Sequence, residues 1–217
     1  MTGQAVLPAQ AGARKRRVAL LGAPGTGKTT LAAQLAAHLC ASGLAAVAVP
    51  DPSRERGFAP GAEERLASAR EHERRVDAAL VAADLVVADA PALMAAIHAG
   101  TLSNDVALLR FAIERQRRYD LSLLTGLDLA CTPDGAAQVD ALVRDQLQRA
   151  QVPYQVVYGQ GAQRLQSALQ ALAAAGWLPQ PPRAERARGT AWVWTCEKCS
   201  DPACEHRLFT QLKDRGN

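Results

Sequence analysis

Short, almost purely apolar runs alternate along the chain with longer stretches whose apolar residues recur every three or four positions. The short runs are Val18-Ala19-Leu20-Leu21, Leu44 to Val49, Leu85-Val86-Val87-Ala88-Asp89, Tyr119 to Thr125 and Tyr154 to Tyr158. A continuous apolar run bounded by turn residues suits a strand buried on both faces, as in a parallel sheet. The stretches between them read as helices over Thr30 to Cys40 (broken by Ser42-Gly43), 61–83, Pro91 to Ala99, and Asp105 to Arg118 with Ser103 or Asn104 as its cap. Two more follow, one from Pro133-Asp134-Gly135 through Ala150 and one from Ala162 to Ala175, closed by Gly176. Strands alternating with helices predict an α/β fold, a doubly wound three-layer α/β/α arrangement around a five-stranded parallel sheet. Ligands of such sheets sit in the loops that leave the carboxyl ends of the strands.

The first of those loops is Gly22-Ala23-Pro24-Gly25-Thr26-Gly27-Lys28-Thr29, which fits G-x-x-x-x-G-K-[ST] between a strand and a helix. The glycines let the backbone curl until successive N–H groups face phosphate oxygens, and the positive end of the helix that follows adds to the attraction. This is the P-loop, or Walker A, pattern; with Thr30 these residues form the candidate nucleotide-binding set. Lys28 would reach the β- and γ-phosphates of ATP, and the Thr29 hydroxyl would bind Mg²⁺.

The other strand ends add further candidates. Strand two runs into Pro50-Asp51-Pro52-Ser53-Arg54-Glu55, where Asp51, Arg54 and Glu55 are either ligand contacts or parts of an ordinary solvated turn. Strand three closes on Asp89, the form of a Walker B element, whose carboxylate binds the metal or serves as base toward an acceptor hydroxyl. Ala90-Pro91 also make Asp89 a candidate helix N-cap. Lys28 and Asp89 are therefore the catalytic candidates, and Thr29 and Asp89 the Mg²⁺ ligands. Strand four leads to Gly126-Leu127-Asp128-Leu129, and strand five to Gly159-Gln160-Gly161. In the 61–83 helix, Glu63, Glu64, Arg65, Arg70, Glu71, Arg74 and Arg75 read as an exposed, salt-bridged face, with His72 a surface residue among them. His98 reads either as a substrate contact or as a surface residue compensating a helix dipole.

Composition narrows the picture. The chain has 217 residues, is 48% hydrophobic and carries a net charge of +4. So mild a basicity is met by a nucleotide and a small-molecule acceptor, and nucleic acid is not the expected partner. No run is long enough to cross a membrane. Arg14-Lys15-Arg16-Arg17 precedes an apolar run too short for a signal core, so residues 1–13 read as a flexible tail. Five cysteines, an odd number, argue against a disulfide framework and for a reducing, cytoplasmic setting. The expected organisation is a nucleotide-binding domain over 14–178, a linker over 179–190 and a small segment over 191–217. In that segment Cys196, Cys199, Cys204 and His206 form C-x₂-C-x₄-C-x-H, a complete tetrahedral shell for structural Zn²⁺. Free thiols, a redox pair or an iron–sulfur site are the competing readings. Nothing in the pattern specifies an oligomeric state.

Taken together, Ser53-Arg54-Glu55, Asp89, Tyr119-Asp120-Leu121 to Gly126-Leu127-Asp128, Pro133-Asp134-Gly135 and Val157-Tyr158-Gly159 with Arg164-Leu165 carry a family resemblance. Over residues 17–175 the chain resembles the kinase-type domain of bacterial ribosylnicotinamide kinases (the NadR type) and their ATPase relatives. The resemblance implies transfer of the ATP γ-phosphoryl to a nucleoside-like hydroxyl, a place in NAD biosynthesis, Asp89 orienting the acceptor, a lid over Asp128 to Asp134, and adenine near Gly159 to Gly161. The chain departs from the family where an arginine usually follows Asp-Gly. Here Ala136-Ala137-Gln138 follows, and Arg117, Arg118 or Arg144 would have to substitute. The alternative expectation is an ATPase or regulatory module that recruits a protein or nucleic-acid partner through its C-terminal zinc segment.

Overall fold

In the computed structural model the described residues are 14–52, 62–98, 105–129 and 133–178. All of them belong to the first of two units into which the chain divides, Met1–Pro179. The 1–13 tail, Arg54, Glu55, Ser103, Asn104, residues 130–132 of the expected lid, the 179–190 linker and the proposed zinc ligands Cys196, Cys199, Cys204 and His206 lie outside the described residues.

The five strands are β1 (Arg16–Leu21), β2 (Ala46–Val49), β3 (Leu85–Asp89), β4 (Leu121–Thr125) and β5 (Gln155–Val157). They form one sheet in the order β2-β3-β1-β4-β5, every pair parallel. The helices are α1 (Lys28–Ala41), α2 (Ala62–Ala82), α3 (Ala92–His98), α4 (Val106–Gln116), α5 (Ala136–Arg149) and α6 (Ala162–Ala174). Because side chains alternate across a strand, Val18 and Leu20 of β1 pack with α1 and α6 on one face. Ala19 and Leu21 pack on the other face with residues of α2, α3, α4 and α5. Both faces are covered, which is why β1 and β3 read as unbroken apolar runs; each fully buried Val or Leu contributes about 1.5–3 kcal/mol. Among the described residues no helix is long and apolar enough to cross a membrane.

Helix ends follow local chemistry. The cap expected at Ser103 or Asn104 is supplied by Asp105, whose Oδ1 accepts the Leu108 N–H at 3.0 Å. Gly176 closes α6 as expected: its N–H donates to the Ala173 carbonyl and that of Trp177 to Leu172, both at 3.0 Å.

Candidate functional site

Strand β1 is central, so the loop that leaves it is braced by both neighbours. Gly22, at φ +142°, lies so close to β4 that a Cβ there would stand 2.1 Å from Thr125 Oγ1. Only glycine permits that approach. Thr125 Oγ1 is 2.6 Å from Thr26 Oγ1, and Thr26 donates to the Ala23 carbonyl at 2.7 Å. Gly22, Ala23 and Thr26 are buried behind the loop. Pro24, Gly25, Gly27, Lys28, Thr29 and Thr30 line a cleft of about 530 Å³, together with Asp51, Asp89, Ala90 and His98. The Lys28 ammonium lies over the loop and donates to the Ala23 carbonyl at 2.8 Å.

Asp89 enters from β3, in register with Leu20 of β1, and is 1% exposed. Its Oδ2 accepts the Thr29 hydroxyl at 2.5 Å, while its buried Oδ1 has no hydrogen-bond partner. A buried carboxylate oxygen without a partner is costly. The donor set fits Mg²⁺, which takes one or two protein oxygens and completes its shell with waters and phosphate oxygens. No group of three or more His, Cys, Asp or Glu side chains gathers among the described residues to hold a metal by itself.

The chain leaves Asp89 abruptly. Ala90 has φ +50°, a left-handed conformation that costs a non-glycine residue about 1–2 kcal/mol, and its N–H donates to the Leu20 carbonyl at 3.1 Å. Asp89 is thus the last residue of the strand and does not cap α3. A buried glutamate stands at the α3 end instead: Glu73 of α2, 3% exposed, accepts from the Ala92 N–H (3.3 Å) and from the Tyr119 hydroxyl (3.1 Å). Burial raises its pKa; the Ala92 N–H, Tyr119 and Arg115 oppose the rise, and Asp77 adds to it. A carboxyl that holds its proton more tightly when folded costs stability as pH rises from its ordinary value through its raised one. Relative to wild type, Glu73→Gln is therefore expected to gain stability at pH 7 compared with pH 4. Urea denaturation at both pH values checks this, and a stability difference that does not change with pH would contradict it.

One histidine departs from expectation and the other falls beside the cleft. His72 is not a surface residue. It is 2% exposed, and neither ring nitrogen meets a hydrogen-bond partner. Burial lowers its pKa against the pull of the Val49 backbone, Asp51 and Asp89, so the ring is neutral near pH 7. The signal was present in the spacing, since Ala69, His72, Val76 and Leu80 follow the i, i+3, i+7, i+11 stripe by which α2 meets the sheet. His98 lines the cleft. It keeps solvent access, yet desolvation and the Lys28 charge lower its pKa, with Asp51 opposing.

On the far side of β1, Gly159 and Gly161 do not line the cleft. The Gly159 N–H donates to Asp128 Oδ2 at 2.5 Å, and its carbonyl accepts from Arg164 Nε at 2.7 Å. Nor do the candidate replacement arginines reach the cleft. Arg117, ahead of β4 at the amino-terminal end of the strands, points at the Ala150 carbonyl at 3.4 Å. Arg118 occupies the same turn. Arg144 pairs with Asp140 at 2.6 Å and lies over Tyr154.

The model of a family described as an AAA domain matches residues 17–164. Among curated proteins none matches the chain. Similar solved structures include a NadR protein in complex with NAD and AMP-PNP, 17% identical, covering 77% of this chain and 51% of that one at a TM-score of 0.55. Another is a NadR protein in complex with NR, at 18% identity, 78% and 54% coverage and a TM-score of 0.59. A third is thymidylate kinase from Ehrlichia chaffeensis, at 16% identity, 73% and 99% coverage and a TM-score of 0.54. The chain spans about half the length of the NadR chains it matches. What these likenesses share with the chain is the α/β P-loop fold.

Proposed function

The chain belongs to the AAA domain family of P-loop proteins, and from that premise we propose that it is an ATP-dependent phosphotransferase acting on a small, nucleoside-like hydroxyl. The observation that carries the proposal is the Thr29–Asp89 pair, with Asp89 Oδ1 unsatisfied, in a cleft shared by the phosphate loop and by Asp51 and His98. The backbone N–H groups of the loop and Lys28 would hold the β- and γ-phosphates. Thr29 and Asp89 would hold Mg²⁺, which when bound neutralises charge on the transferring phosphoryl. Asp89 would also orient the acceptor hydroxyl, whose oxygen forms the new bond to phosphorus as the bond to ADP breaks, its proton passing to the Asp89 carboxylate. Asp51 and His98 would meet the acceptor from the β2 and α3 sides of the cleft. A neutral His98 can accept a hydrogen bond from a hydroxyl, which an imidazolium cannot. Solved proteins of this fold named as a thymidylate kinase and as NadR bound to NR and to AMP-PNP support the direction of the reading.

One observation favours a second reading, a nucleotide-binding ATPase or regulatory module. No arginine lines the cleft among the described residues, and arginines that neutralise a transferring phosphoryl group supply about 10³–10⁵ in rate. ADP release measured across a panel of nucleosides separates the two. The kinase reading expects at least one nucleoside to raise turnover well above the basal rate and to emerge phosphorylated. Turnover indifferent to every nucleoside would rule that reading out and leave the module.

A further inference from the structure

Arg164 stands in the first turn of α6, and its side chain is 5% exposed. Its guanidinium reaches the ends of three strands at once. Nε donates to the Gly159 carbonyl after β5 at 2.7 Å. Nη1 donates to the Thr26 carbonyl inside the phosphate loop. Nη2 pairs with Asp128 beyond β4 and touches the Gly126 carbonyl at 3.4 Å. The second Asp128 oxygen accepts the Gly159 N–H, so the carboxylate is used on both sides. A buried charge so placed is stable only because one carboxylate and three carbonyls surround it.

The contact with the loop has a directional consequence. The peptide joining Thr26 to Gly27 is planar and trans, so its C=O and N–H point in opposite directions. With the carbonyl turned outward to Arg164, the Gly27 N–H is turned to the other side, and Gly27 is a residue that lines the cleft. An anion-binding loop needs its N–H groups inward and its carbonyls satisfied elsewhere. Ala23 meets that need locally, through the Thr26 hydroxyl and Lys28. For Thr26 the partner comes from a helix far along the chain.

We propose that Arg164 is a positioning residue of the phosphate loop: held by Asp128, it locks the Thr26–Gly27 peptide so that the Gly27 N–H is presented to phosphate before any nucleotide arrives. The inference rests on reading Gly22 to Thr29 as a phosphate cradle. It assigns to Arg164 and Asp128 an effect on phosphate affinity, independent of the base.

Displacement of a fluorescent ATP analogue from the full chain, by ATP and by inorganic tripolyphosphate, tests the proposal. Asp128→Asn and Arg164→Lys are expected to weaken both competitors about tenfold, the scale of one lost charge-assisted hydrogen bond, with a cooperative thermal melt retained. An equal loss for the two competitors separates a phosphate-end effect from one at the base, and the retained melt separates it from a general loosening of the domain, which would weaken both alike. Weaker ATP with unchanged tripolyphosphate would move Arg164 to the base side and overturn the proposal. Unchanged affinity for both would overturn it as well. Should Arg164→Lys fail to fold, Asp128→Asn, nearly isosteric and leaving the arginine in place, carries the same comparison. A wild-type chain that binds neither competitor would instead strike down the cradle itself, a failure distinct from one confined to the variants.

Discussion

Lys28→Ala is expected to lower ATP affinity by at least about a hundredfold, some 2.7 kcal/mol, while leaving the melting transition nearly unchanged. The asymmetry follows from what Lys28 touches. Its hydrogen bond to the Ala23 carbonyl is half-buried, and that carbonyl also accepts the Thr26 hydroxyl. The Ala23 carbonyl therefore keeps a donor when the ammonium is lost, and the fold should lose no more than about 1 kcal/mol there. For a polyphosphate the balance is different. No arginine lines the cleft among the described residues, so Lys28 is the positive side chain that would face the phosphates there. Isothermal titration with a non-hydrolysable ATP analogue checks this, and affinity retained in the variant would mean that Gly22 to Thr29 does not cradle phosphates.

The second large effect is expected at Asp89. Asp89→Asn preserves shape and one oxygen for the Thr29 hydroxyl, so the β3 end should fold as before. What it loses is the charge that would hold Mg²⁺ and orient an acceptor. Acceptor-stimulated turnover should fall by roughly 10²–10⁴-fold, the usual scale for a group that handles the reacting proton. The Mg²⁺ concentration for half-maximal rate should rise with it. Titrating Mg²⁺ in the ADP-release assay measures both quantities. A variant with unaltered turnover and unaltered Mg²⁺ dependence would remove Asp89 from the chemistry.

Much of this was legible in the chain because parallel sheets write themselves plainly. β1 and β3 must be apolar on both faces, and the phosphate loop is a contiguous motif whose spacing alone sets its chemistry. All five strands lie where the apolar runs placed them. What stayed hidden is non-local. Glu73 and His72 sit among Glu71, Arg74 and Arg75, and their charged neighbours mask the fact that α2 turns these two inward. His72 still follows the apolar stripe of Ala69, Val76 and Leu80, but the burial of Glu73 depends on Tyr119, 46 positions further on, which no local pattern announces. Arg164 was visible only as part of a resemblance; its contact with Thr26 spans 138 positions and exists only once the sheet has closed. Arg117 and Arg144 looked available because local sequence does not say whether a side chain will reach the cleft. The charge on Arg144 is already matched by Asp140 one helical turn away.

The strand order has a consequence for how the protein comes into being. β1 emerges from the ribosome first, yet its hydrogen-bonding partners are Leu85–Asp89 on one side and Leu121–Thr125 on the other. Until Thr125 has been synthesised, Gly22 has no neighbour to press against and Thr26 lacks the hydroxyl beside it. Non-local pairing of this kind is slow because the intervening chain must be ordered first. The apolar Val18 to Leu21 run therefore waits for its strand partners until Leu85–Asp89 and then Leu121–Thr125 have been made, and the basic residues Arg14 to Arg17 just ahead of it place charge beside the segment most exposed to mispairing.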